Sequence, residues 1–259
     1  RSLGLTRQER AVVYFDNSVE TVQSIFGILK AGAIFAVVNP QVKGDKLAFI
    51  LRDCNARILL TGVRNLKGIE AELAACPDLQ HVVLVDLEDG AEPPAGASIL
   101  AAAGKGVHSM SALTAAHPSR FMPSGNISLD LAALIYTSGS TGVPKGVMLT
   151  HLNMVTAATS LTTYLRNEPD DIILSPLPLS FDYGLYQVLM AIRFGGTVVL
   201  EKQFMYPYKY IELVKKERVT GLPIVPTITA ILLNLKDLED HDFSSVRYVT
   251  NTAQALPEH

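Results

Sequence analysis

The stretch "IYTSGSTGVPKGVMLTH", from Ile135 to His151, joins an apolar run to six glycine, serine and threonine residues between Thr137 and Gly142, followed by a proline and a lysine. The run that leads into it, "LAALIYT" (131–137), reads as a β-strand, and "VMLTH" reads as the strand that follows. The polar loop therefore leaves the carboxyl end of a strand, where open α/β folds bind their ligands. Backbone N–H groups freed by Gly139 and Gly142, with the hydroxyls of Thr137, Ser138, Ser140 and Thr141, make a concave set of donors suited to phosphate oxygens. Lys145 adds a positive charge where the loop ends. The chemistry this suits is the handling of a polyphosphate.

The loop is not a Walker loop. Counting GxxxxGK[ST] from Gly139 puts Pro144 where the second glycine belongs and Gly146 where the magnesium-binding hydroxyl belongs. An idle surface loop would explain the Gly and Ser, but it gives no reason for "PKG" just ahead of a strand.

Working outward, apolar runs of strand length alternate with helical patterns. "AVVYFD" (11–16) precedes Asn17 and Glu20, a capping-box-like start, and then Val22, Ile25, Phe26 and Leu29 at helical spacing, closed by Gly32. "IFAVVN" (34–39), "RILLT" and "HVVLVD" are further strands, with a helix carrying Leu47, Ile50, Leu51 and Cys54 among them. Later come "DIILSPL", "TVVLEK" and "GLPIVP", interleaved with helices around 151–165, 183–193, 207–218 and 227–236. Repeated β–α alternation with β-branched strands predicts an α/β fold: two mostly parallel sheets with helices packed on their faces. The pattern fails between Leu87 and Asn126, which are joined by Ala-, Gly-, Pro- and Ser-rich sequence. The expected organisation is a first β/α subdomain over 1–126, ending in an irregular junction (87–126) with room for a short helix, and a second over 127–259 that carries the loop.

The 259 residues are 48% hydrophobic, enough to bury a substantial core. A net charge of −3 and the absence of any dense Lys/Arg cluster argue against nucleic acid as a partner. Cys54 and Cys76 show no metal or disulfide spacing, and Cys54 reads as a buried, inert thiol. His81, His108, His117, His241 and His259 have no metal-ligand spacing. His151 opens a helix whose Met154, Ala158, Leu161 and Leu165 form one face, and a structural role there outweighs a catalytic one. The segment "KYIELVKKERV" (209–219) reads as a helix with a solvated charged side. No apolar stretch reaches the ~18 residues of a membrane span, and the N-terminus lacks a signal-peptide core, so a cytoplasmic protein is expected.

"YTSGSTGVPKGVMLTH" resembles the signature phosphate loop of the adenylate-forming, AMP-binding superfamily of acyl-CoA synthetases, luciferases and nonribosomal peptide synthetase adenylation domains. "LKAGAIFAVVNP" (29–40), "LPLSFDYGLYQVLMAIRFGGTVVL" (177–200), "VTGLPIVPTITAILL" (219–233) and "VRYVTNTAQALP" (246–257) continue the resemblance in order, over nearly the whole chain. The resemblance implies part of the large N-terminal domain of an acyl-CoA synthetase-like fold. It further implies ATP-dependent activation of a carboxylic acid to an acyl-adenylate, with pyrophosphate leaving, and then capture by a thiol of coenzyme A or a carrier protein. By the same resemblance, Thr137, Ser138, Gly139, Ser140, Thr141, Gly142 and Lys145 cradle the β- and γ-phosphates, and Thr137 reaches Mg²⁺. The family's adenine, ribose and lid motifs, including the lid's catalytic lysine, are not among these residues. The expectation is a fragment that holds pyrophosphate weakly and forms no adenylate by itself.

In the third motif many acyl- and aryl-CoA ligases carry a histidine where this chain has Phe181, followed by Asp182. The pair resembles amino-acid-activating domains, in which that aspartate receives the substrate's α-ammonium. Two readings of Asp182 stay open, amine recognition and capping of the helix that begins near Tyr183. Tyr183 and Gly184 line the acyl pocket by position, with a core role for Tyr183 as the alternative.

Overall fold

The computed structural model describes residues 1–117, 123, 125–138 and 142–252. These form two compact units that divide in sequence between Met154 and Val155. In chain order the first contains β1 (Arg10–Tyr14), α1 (Val19–Ala31), β2 (Ile34–Val37), α2 (Gly44–Asp53), β3 (Ala56–Thr61), α3 (Val63–Leu66), α4 (Glu70–Ala74), β4 (His81–Leu84), α5 (Ala97–Ala102), β5 (Gly106–Ser109), α6 (Met110–Ala116), β6 (Leu131–Ser138) and β7 (Pro144–Thr150). Helix α7 (His151–Leu165) runs across the division. The second unit continues with β8 (Ile172–Ser175), α8 (Asp182–Phe194), β9 (Thr197–Leu200), α9 (Pro207–Lys216), β10 (Gly221–Ile224), α10 (Pro226–Leu233), a 3₁₀ turn (Leu238–Asp240) and β11 (Tyr248–Asn251). Among the described residues no helix is long and apolar enough to cross a membrane.

Two sheets form, in the orders β5-β4-β3-β1-β2-β6-β7 and β11-β10-β8-β9. Every pairing is parallel except β6 with β7. The first sheet is covered on both faces, as its apolar strands require. Val12 and Tyr14 pack with Leu47, Leu51, Leu59 and Leu73, while Ala11 and Val13, alternating to the other side, are also shut off from water. The second sheet has its own core, in which Leu174, Leu222 and Ile224 meet Tyr210 and Val214 of α9.

The subdomain boundary at 126/127 is corrected by this topology. Strand β6 lies beside β2, with Phe35 opposite Ala133, so the polar loop emerges from the first sheet and not from the second. Within the irregular junction the described residues hold α5, β5 and α6. Strand β5, "GVHS", is a four-residue edge strand with every residue half-buried, so no apolar run marks it. At α1 the N-cap is Ser18 and not Asn17, because the Ser18 hydroxyl accepts the Thr21 N–H at 3.2 Å. Helix α7 buries Met154 and Ala158 as expected but leaves Leu161 exposed.

Two polar contacts position the functional segments. In the first unit Tyr136 of β6 donates its hydroxyl to Asp53 at the end of α2, 2.6 Å away. Burial and the Asp53 carboxylate together push the phenol well above its ordinary pKa. Tyr136 faces Gly146 across the hairpin, and a Cβ on that glycine would stand 3.1 Å from the ring. In the second unit Asp171, 3% exposed, accepts from Asn167 Nδ2 (3.0 Å), the Glu168 N–H (3.0 Å), Thr220 Oγ1 (2.8 Å) and the Arg247 guanidinium. Its backbone carbonyl takes the Thr197 N–H. One aspartate thus ties the amino ends of all four strands of the second sheet. Burial alone would raise its pKa, but those donors hold it below the ordinary carboxylate value.

Two outcomes are expected. Asp171→Asn lowers unfolding free energy at pH 7 by about 2 kcal/mol, because a buried amide cannot accept from all the donors that meet the carboxylate. A depressed carboxylate contributes fully above its unfolded pKa and less as pH falls through the folded one. Denaturation midpoints of the wild type therefore fall below about pH 4 more steeply than those of Asp171→Asn; parallel curves would exclude the linkage. Tyr136→Phe costs about 1.5 kcal/mol in urea unfolding, the worth of a hydrogen bond to a charged group.

Candidate functional site

The β6–β7 hairpin is built by its register. Thr137 stands directly opposite Lys145, Tyr136 opposite Gly146, and Ile135 opposite Val147. Directly opposed residues of an antiparallel pair project to the same face, so the Thr137 hydroxyl and the Lys145 ammonium lie on one side of the hairpin and the Tyr136 anchor on the other. The "PKG" of the sequence follows from this: the lysine must match Thr137, and the glycine must clear the Tyr136 ring. Thr137, Gly142 and Lys145 are exposed. Gly142 has φ of 79°, a left-handed backbone that favours glycine where the loop turns back into β7. Among the described residues no carboxylate pairs with Lys145.

Gly139, Ser140 and Thr141 lie outside the described residues, as does the side chain of Ser138. What remains is a hydroxyl, a turn glycine and an ammonium at the carboxyl edge of the sheet, an arrangement of donors that fits an anion. It offers less to a divalent metal. Among the described residues no group of three His, Cys, Asp or Glu could hold one.

Behind the hairpin, the backbone N–H of Thr150 donates to Asn153 Oδ1 at 3.0 Å, and Thr150 Oγ1 accepts the Asn153 N–H at 3.1 Å. This reciprocal cap starts α7 directly after β7. His151 belongs to the same corner. Its N–H donates to the Asp130 carbonyl, and its Nε2 accepts from the Asn126 amide at 2.9 Å, while burial lowers its pKa against the pull of Asp130. Its role is structural.

In the second unit the four residues that the resemblance assigns to an acyl pocket lie together at the start of α8. Phe181, 55% exposed, is the N-cap, and Asp182 is the first helical residue. The expectation that Asp182 caps the helix is corrected: the N-cap is Phe181, with no side-chain cap bond, while one carboxylate oxygen of Asp182 accepts the Tyr183 N–H at 2.8 Å from inside the first turn, and the side chain is exposed. The Asp182 charge, added to burial, raises the pKa of Tyr186. The Tyr183 hydroxyl lies 2.7 Å from Thr250 Oγ1 of β11, a partner that sequence reasoning missed because the two residues are 67 apart. Burial raises the Tyr183 pKa. Gly184 is buried, and a Cβ there would stand 2.4 Å from the Pro178 carbonyl oxygen, so glycine is required for α8 to pack against the chain that precedes it. Cys54 and Cys76 are buried, and burial pushes the Cys54 thiol up to about 11.

Residues 1–259 match the family model described as "AMP-binding enzyme". The chain is 31% identical over 260 residues to 4-coumarate–CoA ligase from Pinus taeda, covering 98% of this chain and 45% of that protein. It is 28% identical over 261 residues to gramicidin S synthase 2 from Brevibacillus brevis, covering 99% of this chain and 5% of that protein. Among solved structures, the anthranilate CoA ligase AuaEII in complex with anthranoyl-AMP superposes with a TM-score of 0.84 at 26% identity, over 99% of this chain and 47% of that one. The N-terminal domain of FACL13 from Mycobacterium tuberculosis shares the fold, with a TM-score of 0.81 at 24% identity over 99% of this chain and 60% of that one. The chain spans less than half the length of the plant ligase it matches. A family match over residues 1–259, on a fold shared with the anthranilate CoA ligase and with the β6–β7 hairpin at the carboxyl edge of the first sheet, establishes that the chain belongs to the AMP-binding enzymes of the adenylate-forming superfamily.

Proposed function

We propose that this chain supplies the triphosphate-holding and acyl-pocket part of an enzyme that activates a carboxylic acid with ATP. The carboxylate oxygen attacks the α-phosphorus, the bond to pyrophosphate breaks, and a thiol, that of coenzyme A, then attacks the acyl carbon and releases AMP. The observation that carries the reading is the pairing of Thr137 with Lys145 on one face of the hairpin. The barrier lies in bringing a carboxylate against a polyanion, so fixed donors on the departing oxygens supply the catalysis. Lys145 takes the β- and γ-phosphate oxygens as a point charge, and Gly142 lets the chain turn so that its N–H faces them. Magnesium, if it binds, would meet the Thr137 hydroxyl and would supply positive charge against the phosphates. The same role is proposed for Ser138, Gly139, Ser140 and Thr141 on the family resemblance alone.

The acyl group lies at Phe181, Asp182, Tyr183 and Gly184. A second reading, an amino-acid-activating domain that loads a carrier protein, rests on the exposed carboxylate of Asp182, half of which remains open to a cationic amine.

The chain alone is expected to bind pyrophosphate weakly in isothermal titration, with affinity that falls as salt rises and is lost in Lys145→Ala. In protein competent for ATP–pyrophosphate exchange, Lys145→Ala lowers the exchange rate about 100-fold, the typical cost of one lost transition-state donor. An undiminished rate would remove Lys145 from the site. Exchange supported by fatty or aryl acids and unaffected by Asp182→Ala assigns the acyl-CoA ligase reading. Exchange supported by amino acids and lost in Asp182→Ala assigns the carrier-loading one.

A further inference from the structure

Two histidines that the sequence keeps 27 residues apart meet on the first sheet. His81 opens β4 and His108 lies in β5, with His81 opposite Gly106 and Val83 opposite His108. The imidazoles therefore share one face, set diagonally across adjacent parallel strands. His81 Nδ1 and His108 Nε2 stand 3.1 Å apart, with ring centroids separated by 5.1 Å and planes tilted by 57°.

Both nitrogens converge over Gly106. A Cβ built on that glycine would lie 2.6 Å from His81 Nδ1 and 2.6 Å from His108 Nε2, so no side chain can stand there, and the hydrogen bond the two nitrogens share is the contact an ion would replace, the proton moving to the other nitrogen of its ring. An ion bound to both nitrogens at about 2.05 Å would subtend an N–metal–N angle of about 98°, between the square-planar and tetrahedral values.

We propose that His81 and His108 form a two-histidine chelate for a late first-row divalent ion such as Cu²⁺ or Zn²⁺, seated over Gly106 at the β4–β5 edge of the first sheet. Among the described residues no third His, Cys, Asp or Glu joins them, so water fills the remaining positions and the ion exchanges readily. The site lies at the amino ends of β4 and β5, whereas the β6–β7 hairpin turns at the carboxyl end of β6. The ion is structural in this arrangement: it clamps the short edge strand β5 to β4 and stabilises the fold by mass action.

The test is titration of the whole chain with Cu²⁺ followed by electron paramagnetic resonance, and with Zn²⁺ followed by thermal unfolding. One equivalent of Cu²⁺ is expected to show coupling to two imidazole nitrogens, and Zn²⁺ to raise the melting temperature. His81→Ala and His108→Ala each weaken binding at least about tenfold, or ~1.4 kcal/mol, and leave one coupled nitrogen. Gly106→Ala, whose methyl meets both nitrogens, also weakens it. The combined variant His117→Ala, His241→Ala and His259→Ala keeps the wild-type signal. Absence of a two-nitrogen signal in the wild type, its loss in that combined variant, or its survival in both single variants would overturn the proposal. The wild-type spectrum and the combined variant keep the test decisive if a single variant fails to fold.

Discussion

The pairing of β6 with both its neighbours is the constraint on which the functional arrangement rests. On one side it lies parallel to β2, inside a sheet buried on both faces. On the other it turns back on itself and runs antiparallel to β7. A strand with only the first pairing would end in an open loop, and one with only the second would be an isolated hairpin of marginal stability. Together they fix the last residues of β6 at the carboxyl edge of the sheet and make Lys145 the partner of Thr137. A slip of one residue would send Lys145 to the face of Tyr136 and push a side chain into the space that Gly146 keeps clear.

The tie from Tyr136 to Asp53 protects that register from outside the sheet, since it anchors the hairpin to the end of α2. Opposite faces of the hairpin thus divide the work: Tyr136 holds, and Thr137 with Lys145 presents donors. The second unit solves a comparable problem with charge. Its four strands are short, and Asp171, just ahead of β8, gathers the amino ends of the others, its buried carboxylate taking Thr220 and Arg247 and its backbone carbonyl the Thr197 N–H. With those ends fixed, the carboxyl edge carries the start of α8, where Tyr183 reaches Thr250 and Gly184 allows close packing. Both units keep their polar anchors away from the residues assigned to chemistry.

Asp182 shows how one side chain serves two demands. At the first position of α8 its carboxylate satisfies a helix N–H that would otherwise have no partner, and it favours the positive end of the helix dipole. Its second oxygen and its exposure leave it able to meet a cation. Whether a substrate uses that capacity is a matter of the acid that binds, which is why the two relatives compared above, a coumarate ligase and a gramicidin synthase, bracket the proposed function.

The sequence by itself determined the α/β class, most strands and helices, and the family, because apolar periodicity and the "TSGSTGVPKG" motif are local properties of the chain. It did not reveal β5 or β11, four-residue edge strands that carry no buried apolar run, nor that the β6–β7 hairpin belongs to the first sheet. Strand order is decided by which faces bury one another over long separations. The same holds for the pairs Tyr136–Asp53, Tyr183–Thr250 and His81–His108, separated by 83, 67 and 27 residues. No spacing rule joins residues so far apart. Only the tertiary structure, by stacking one strand beside another, set these side chains within hydrogen-bonding distance.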